Sequence, residues 1–352
     1  MVLHHIVRVR RASWPSSNSY SALTSGQAFR KGKWPMLSLM VPCTQVEIGK
    51  TQIIITGTEE DEARRVVDCI QEIVSLPDSA CQDIASPNTQ IDLQSGEENY
   101  KARVARAIES MQQGKHTKVI PTRKVPLPFR VHMPATLLHG RRETHPHEPS
   151  PSTTWPGPNY WWQSNATADP SQNKLLDDPK EVHEHTIAIK GTLRRLATLC
   201  TPESIAVKDF MTPLQRGSVQ HLFSLVCGRQ KQGLDGWDAL PGLIGNITVP
   251  GLPGDTNLEA IECFENEPRD LYYGAVVVVD DAAKLFEATS VLRTVFQDQS
   301  RQWLQAGAGI TVHSTPEREF VETCEKLGTI SPSIVAESVI AAEPRNIYLQ
   351  QI

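Results

Sequence analysis

The spacing of apolar residues predicts a chain in which helices and strands are mixed along the sequence. Amphipathic helices are predicted where apolar residues recur every three or four positions, in residues 59–74, 99–113 and 181–199. Strands are predicted where apolar and polar residues alternate or β-branched residues cluster, in residues 44–56 (two short strands), 118–123, 205–211, 217–227, 273–280 and 284–297. This order has no regular strand–helix–strand repeat, and it therefore predicts the α+β class.

The last two strands form a predicted hairpin whose second strand carries an arginine. Alternation places Arg293 on the same side as Val291 and Val295. An arginine among apolar residues is costly unless it meets an anion. A substrate carboxylate held by both guanidinium nitrogens would meet this need, and an acidic protein partner is the alternative.

A glycine-containing turn followed by a helix occupies residues 306–326, AGAGITVHSTPEREFVETCEK. Gly307 and Gly309 allow close approach of another part of the backbone. Thr315 followed by Pro316 is a typical helix start, and acidic residues follow at once. The pattern indicates a tight turn that leads directly into a helix with an acidic first turn.

Acidic residues lie on one face of this helix and of a second helix far away in the sequence. Glu319, Glu322 and Lys326 share one face of the first helix, and Glu181 and Glu184 form a similar pair after Asp-Pro in the second. Mg²⁺ prefers a few carboxylates and binds beside anionic substrates. The two faces could converge on one such cation. The alternative is a solvated face with a single Glu–Lys pair.

Composition excludes several classes of protein. The net charge of −5 gives no basic surface for nucleic acid, and no run approaches the roughly 18 apolar residues of a membrane span. Seven cysteines without a CxxC motif favour a reducing compartment, and we expect the cytoplasm. Residues 1–40 are rich in Arg and Ser and contain no acid, which is typical of a mitochondrial targeting segment or of a disordered N-terminus.

Five sequence motifs together resemble the chorismate-utilising enzymes, and among them the salicylate synthases of siderophore biosynthesis. The motifs are DPKEVHEH (178–185), DFMTPLQRGSVQHL (209–222), LYYGAVV (271–277), AGAGI (306–310) and PEREFVETCEKL (316–327). The resemblance covers roughly residues 100–335. We therefore expect a small N-terminal α/β portion in 41–98, a chorismate-binding catalytic domain in 99–337 and a C-terminal tail in 338–352.

The resemblance implies a fold of two packed β-sheets surrounded by helices and a Mg²⁺-dependent reaction. Chorismate would be converted to isochorismate and then to salicylate and pyruvate. The implied metal ligands are Glu184 and Glu322, supported by Glu181 and Glu319. The implied substrate-binding residues are Thr248, Tyr272, Arg293, Gly307, Gly309 and Lys326, and the implied catalytic residues are Lys118 and His221. We expect a monomer without a glutamine amidotransferase subunit.

Lys118 matches the family lysine that activates water in the isochorismate-forming and salicylate-forming members. A desolvated lysine near other cations can act as a general base near neutral pH, which gives the residue a chemical reason. Anthranilate-type relatives use ammonia and lack this lysine. Without the family context, an exposed surface lysine would be the simpler interpretation.

The sequence departs from the family pattern in residues 145–175. Two family blocks are absent there: a strand ending in Ser-Pro-Glu, whose Glu is the general acid, and a Pro-Leu-Ala-Gly-Thr-Arg substrate loop. No strand or helix is predicted in this interval, so we expect an incomplete fold around it. The alternatives are an isochorismate synthase, an anthranilate synthase component I-like lyase, and a catalytically impaired protein. A dinucleotide-binding loop is disfavoured because Val312 stands where a third glycine is needed.

Overall fold

The computed structural model describes residues 43–48, 53–75, 90–144, 159–168, 174–177, 179–216, 219–244, 251–252, 261, 263–280 and 285–337. The predictions for residues 1–40 and 338–352 lie outside these ranges. Within them, no helix is both long enough and apolar enough to cross a membrane.

Helices and strands alternate irregularly along the chain. The helices are α1 (Glu60–Ser75), α2 (Glu97–Gln112), α3 (Met133–Thr144), α4 (Lys174–Asp177), α5 (Pro179–Leu199), α6 (Gly236–Ile244) and α7 (Pro316–Gly328), with short 3₁₀ turns at Pro202–Ser204 and Ser331–Ser333. The strands are β1 (Thr44–Ile48), β2 (Ile53–Gly57), β3 (Lys118–Val119), β4 (Thr122–Pro126), β5 (Asn159–Ala168), β6 (Ala206–Arg216), β7 (Val219–Arg229), β8 (Gly251–Leu252), β9 (Ala275–Asp280), β10 (Leu285–Ser290), β11 (Val295–Gln297) and β12 (Gln302–Gly307). The α+β class is confirmed.

The described strands form small antiparallel sheets. Two sheets have three strands, in the orders β11-β12-β4 and β5-β7-β6, and the remaining pairs are β1–β2, β3–β8 and β9–β10. Their pairings are antiparallel throughout. The predicted helices in 59–74, 99–113 and 181–199 are confirmed as α1, α2 and α5.

The single strand predicted over residues 118–123 is wrong in its continuity. Residues Lys118–Val119 pair with β8, whereas Thr122–Pro126 pair with β12 in another sheet. Pro121 lies at the break, and proline has no N–H to donate to a strand partner. The chain therefore bends here and joins two sheets.

The predicted hairpin of residues 273–280 with 284–297 is confirmed for β9 and β10, but its second strand does not continue to residue 297. Strand β10 ends at Ser290. The next strand, β11, begins at Val295 and belongs to a different sheet. Between them Arg293 has a φ of 49°, a left-handed backbone that interrupts a strand. Thr289, Val291, Arg293 and Val295 therefore do not share one strand face.

The interval 145–175, predicted to be irregular, contains a ten-residue strand. Strand β5 pairs with β7 along its whole length, from Asn159 opposite Arg229 to Ala168 opposite Gln220. Its sequence, NYWWQSNATA, has aromatic residues that suit a strand but no clear alternation. Pairing with β7 therefore specifies this strand more than any local pattern does.

One hydrophobic cluster lies where β3 passes the segment after β12. Val119 and Ile310 exchange two backbone hydrogen bonds, with N···O distances of 2.8 and 3.2 Å. Helices α2 and α7 cover this crossing, with Tyr100, Val104 and Phe320 in the same buried cluster. Burial of these large side chains fixes the crossing, which places the candidate site.

Helix α5 packs on the inner face of β7. Leu196 and Val226 are buried in one cluster between them. Near the start of the helix, Nε2 of the buried His185 lies 2.7 Å from Oγ of Ser224, and that hydroxyl also accepts a bond from the N–H of Met211 at 2.9 Å. This polar bridge ties α5 to β7 and to a bulge in β6.

The burial of His185 predicts a pH dependence of stability. Desolvation lowers the pKa of its imidazole from 6.5 to about 4. Between these values the unfolded chain binds a proton that the folded chain does not, so the free energy of unfolding falls as the pH falls. We expect the drop from pH 7 to pH 5 to be larger in the wild type than in His185→Gln, by on the order of 2 kcal/mol. Urea unfolding at both pH values measures this difference; equal pH dependence in the two proteins would contradict it.

Candidate active site

The chain from the end of β12 to Gly309 is packed so closely that a side chain at either of two glycines would force its neighbours to move. A Cβ on Gly307 would lie 2.7 Å from the carbonyl oxygen of Pro121. A Cβ on Gly309 would lie 3.0 Å from Cε of Lys118 and 3.1 Å from Oε2 of Glu184. The predicted close approach is confirmed, and the partners of Gly309 are two charged side chains.

Lys118 and Glu184 form a buried ion pair at Gly309. Their Nζ and Oε2 atoms are 2.7 Å apart, although the residues are 66 positions apart in sequence. Lys118 is 8% exposed, which excludes the exposed surface lysine. Helix α5 supplies the glutamate and β3 the lysine, so the two segments that carry them converge.

The acidic face of α7 is buried rather than solvated. Glu319 and Glu322 are 1% and 6% exposed. Nζ of Lys326 donates to Oε1 of Glu322 at 2.8 Å and to the carbonyl oxygen of Gly307 at 2.9 Å. Burial lowers the pKa of Lys326, but the adjacent Glu322 outweighs this and leaves the pKa raised. Lys326 is therefore held as an ammonium beside residues Gly307–Gly309, which are called the glycine segment below.

The two ion pairs lie on either side of the same short segment. Glu184 reaches it at Gly309, and Glu322 reaches it through Lys326 at Gly307. Glu181 is also buried, one turn before Glu184 on α5. The sequence prediction that acids of α5 and α7 meet at one place is consistent with these contacts.

The carboxylates fit a Mg²⁺ ion held by few protein ligands. Among the described residues no three His, Cys, Asp or Glu side chains form a metal-ligand cluster. Mg²⁺ does not need one, because it keeps several waters and takes only one or two carboxylates. The buried Oε1 of Glu184 has no hydrogen-bond partner among the described atoms, and a cation would satisfy it.

Tyr272 and Arg293 belong to the same electrostatic environment. Desolvation lowers the pKa of Arg293, while the charges of Tyr272 and Glu322 oppose that shift. Desolvation raises the pKa of the buried Tyr272, while Arg269, Lys326 and Arg293 oppose it. Two guanidinium groups and an ammonium thus act on one buried phenol, an arrangement that suits an anionic ligand.

For two predicted site residues, Thr248 and His221, the structure does not describe the side chain. Thr248 lies outside the described residues, and the nearest described element is β8, whose Leu252 pairs with Lys118. His221 lies in β7 opposite Thr167 and Leu214, and its side chain is outside the described atoms. Both assignments stay predictions.

Tyr100 is a site-supporting residue that the sequence analysis missed. Its hydroxyl donates to the carbonyl oxygen of Pro121 and accepts from the N–H of Ala308, both at 3.2 Å. It joins the bend after β3 to the middle of the glycine segment. Its position one turn before Val104 on the buried face of α2 was the available signal.

The general acid expected from the family is not supplied by β5. This strand occupies residues 159–168 of the interval 145–175, where the family block was missing, and its sequence contains neither Asp nor Glu. The described part of the interval therefore contains a strand that was not predicted and no carboxylic acid.

Comparison with known proteins shows the family to which the chain belongs. The sequence matches the chorismate binding enzyme family over residues 16–149 and 163–332, which include the predicted site residues. It is 32% identical to a salicylate synthase from Mycolicibacterium paratuberculosis over 340 residues, which is 89% of this chain and 72% of that protein.

Solved structures show the same fold at low sequence identity. Anthranilate synthase component I from Streptococcus pneumoniae superposes with a TM-score of 0.62 at 19% identity, covering 80% of this chain and 70% of that one. The menaquinone-specific isochorismate synthase from Escherichia coli gives 0.57 at 17% identity, covering 80% and 71%. With the motifs, the converging site and the family match in agreement, the chain is a member of the chorismate binding enzyme family.

Proposed function

We propose that this chain is a Mg²⁺-dependent salicylate synthase, which converts chorismate to isochorismate and then to salicylate and pyruvate. The buried contact between Lys118 and Glu184 at Gly309 is the observation that carries the proposal. It places an amine, the group that would activate water, beside a carboxylate suited to Mg²⁺. The similarity to a salicylate synthase over most of the chain supports the same reaction.

Lys118 would act as the general base of the first step. It would take a proton from water as the oxygen attacks C2 of the ring. The C4 hydroxyl would leave as water, which requires a proton from a general acid that β5 does not supply. In the free protein its Nζ contacts Oε2 of Glu184 at 2.7 Å, so Lys118 would leave this carboxylate before it takes a proton from water.

Substrate binding would use the cations and the glycine segment. Arg293 and Tyr272 would hold the enolpyruvyl carboxylate, together with backbone N–H groups at Gly307 and Gly309. Mg²⁺ held by Glu184 and Glu322, with Glu181 and Glu319 in support, would supply a positive charge for the ring carboxylate.

Lys326 and His221 would polarise the site during the loss of pyruvate in the second step. The fixed ammonium of Lys326, held by Glu322 and Gly307, is suited to stabilise charge that develops on the substrate.

A catalytically impaired binding protein is the second candidate. It is favoured by one observation, the lack of any carboxylic acid in β5. Such a protein would bind chorismate and Mg²⁺ without turnover.

The purified chain with chorismate and Mg²⁺ tests the proposal directly. We expect salicylate fluorescence and an equal amount of pyruvate, both abolished by EDTA and restored by Mg²⁺. Isochorismate without salicylate would assign an isochorismate synthase, and anthranilate formed only with ammonium salts would assign the anthranilate reaction. Chorismate binding in calorimetry without any product would support the impaired protein.

Removing the proposed base should stop the first step. We expect Lys118→Gln, which keeps a donor for Glu184, to reduce isochorismate formation by about 100-fold or more. Elimination of pyruvate from added isochorismate should change much less, because that step does not use the base. Lys124→Gln is the matched control, since this lysine of β4 pairs with Glu267 and Asp270 instead. Unchanged isochorismate formation in Lys118→Gln would exclude Lys118 as the base.

A single methyl group on the glycine segment should disturb the ion pair. In Gly309→Ala the new Cβ meets Lys118 and Glu184 at about 3 Å, closer than side chains normally pack, so one of them must move. We expect turnover to fall by about tenfold or more at an unchanged far-UV spectrum. The control is Gly328→Ala, because a Cβ at the end of α7 meets no atom within 4 Å. Equal activity of the two variants would show that the contact at Gly309 is not needed.

A further inference from the structure

The bend between β3 and β4, residues 120–122, is held by side chains from distant parts of the chain. Nη2 of Arg269 donates to the carbonyl oxygen of Ile120 at 2.5 Å, and Oε1 of Glu265 accepts from the N–H of Thr122 at 2.6 Å. In a regular strand these backbone groups would bond to a neighbouring strand. Here they bond to a guanidinium and a carboxylate instead. The bend therefore depends on these two side chains for its shape.

Glu265 and Arg269 form a buried ion pair of their own. They are 5% and 8% exposed, and two parallel contacts of 2.9 Å (Nε to Oε2) and 2.7 Å (Nη2 to Oε1) join them. A buried ion pair contributes little net stability, because desolvation of both charges offsets their attraction. Its rigid two-bond geometry is what it adds: a fixed donor and a fixed acceptor on the two sides of Pro121.

The bend in turn contacts the candidate active site from two directions. Lys118 precedes it by two residues on β3. The carbonyl oxygen of Pro121 limits the approach of Gly307, where a Cβ would lie 2.7 Å away. The guanidinium of Arg269 also lies 5.9 Å from the ring centre of Tyr272. A shift of the pair would therefore move the backbone that carries the lysine.

We propose that Glu265 and Arg269 are positioning residues for Lys118. By holding both sides of the bend they fix the direction in which β3 presents the lysine to Glu184 and Gly309. Neither residue touches the proposed reacting atoms, so they act on Lys118 through the backbone of the bend, and the contact of Arg269 with Tyr272 is separate from this role. This role rests on the proposed function of Lys118 as the base that activates water.

Comparing the rates of the two proposed steps distinguishes a positioning role from general destabilisation, because only the first step needs the base. Formation of isochorismate from chorismate needs the base, whereas elimination of pyruvate from added isochorismate does not. In Arg269→Lys, which keeps the charge but loses the paired contacts, we expect kcat of the first step to fall about tenfold more than kcat of the second. Glu265→Gln, which keeps the shape and removes the charge, should shift the same ratio in the same direction.

Arg123→Lys is the matched control. Arg123 is also a buried arginine, next to the bend, but its guanidinium contacts Leu93, Ser95, Thr323 and Cys324 on the other side of β4. Its replacement should lower the unfolding temperature while leaving the ratio of the two kcat values unchanged. An unchanged ratio in Arg269→Lys and Glu265→Gln, or an equal change in the control, would overturn the proposal.

Hydrogen exchange tests the positioning independently of activity. In Arg269→Lys we expect faster deuterium uptake in peptides that cover residues 116–122 and 306–312, where Val119 and Ile310 pair. In Arg123→Lys the increase should fall in residues 90–97 and 321–326 instead. If the wild type acts on neither chorismate nor isochorismate, the proposed function fails. Hydrogen exchange alone then tests whether Glu265 and Arg269 position β3. Faster uptake around the bend then supports the positioning role, and unchanged uptake overturns it.

Discussion

The close passage of the segment Gly307–Gly309 across the chain between Lys118 and Thr122 is the constraint on which the site depends. Two backbone hydrogen bonds between Val119 and Ile310 set the crossing, and the glycines allow contacts that a side chain would prevent. The helices that cover the crossing bring their own carboxylates with them. The contacts at this one crossing place all the charged groups of the candidate site around a single backbone segment.

Because these charged side chains are largely buried, each of them needs a partner of opposite charge. Glutamates and lysines of α5, α7 and β3 would lose hydration in the interior, and each such loss is costly unless another charge compensates. The pairs Lys118–Glu184 and Lys326–Glu322 provide that compensation in the free protein. The proposed substrate, a dianion accompanied by Mg²⁺, would exchange partners with both pairs.

Strand β5 completes a sheet but carries no carboxylic acid. Its pairing with β7 closes the sheet β5-β7-β6 in the interval where the family motifs are missing. The backbone hydrogen bonds that define a strand are available to any residue except proline, so a sheet can form around a divergent sequence. A proton donor has no such substitute, because it requires a carboxyl group at one position. A strand can therefore form at a position where its own sequence carries no proton donor.

The sequence by itself determined the α+β class, the three amphipathic helices and the family, because these depend on local periodicity and on ordered motifs. It also identified Lys118, Glu184, Glu322 and Lys326, although it left open whether they were surface charges. Only the tertiary structure showed that they are largely buried and paired, and that Lys118 meets Glu184 from a segment far away in the chain. It likewise decided the break at Pro121, the left-handed turn at Arg293 and the existence of β5. The break and β5 result from pairing with strands far away in the sequence, which local patterns do not encode.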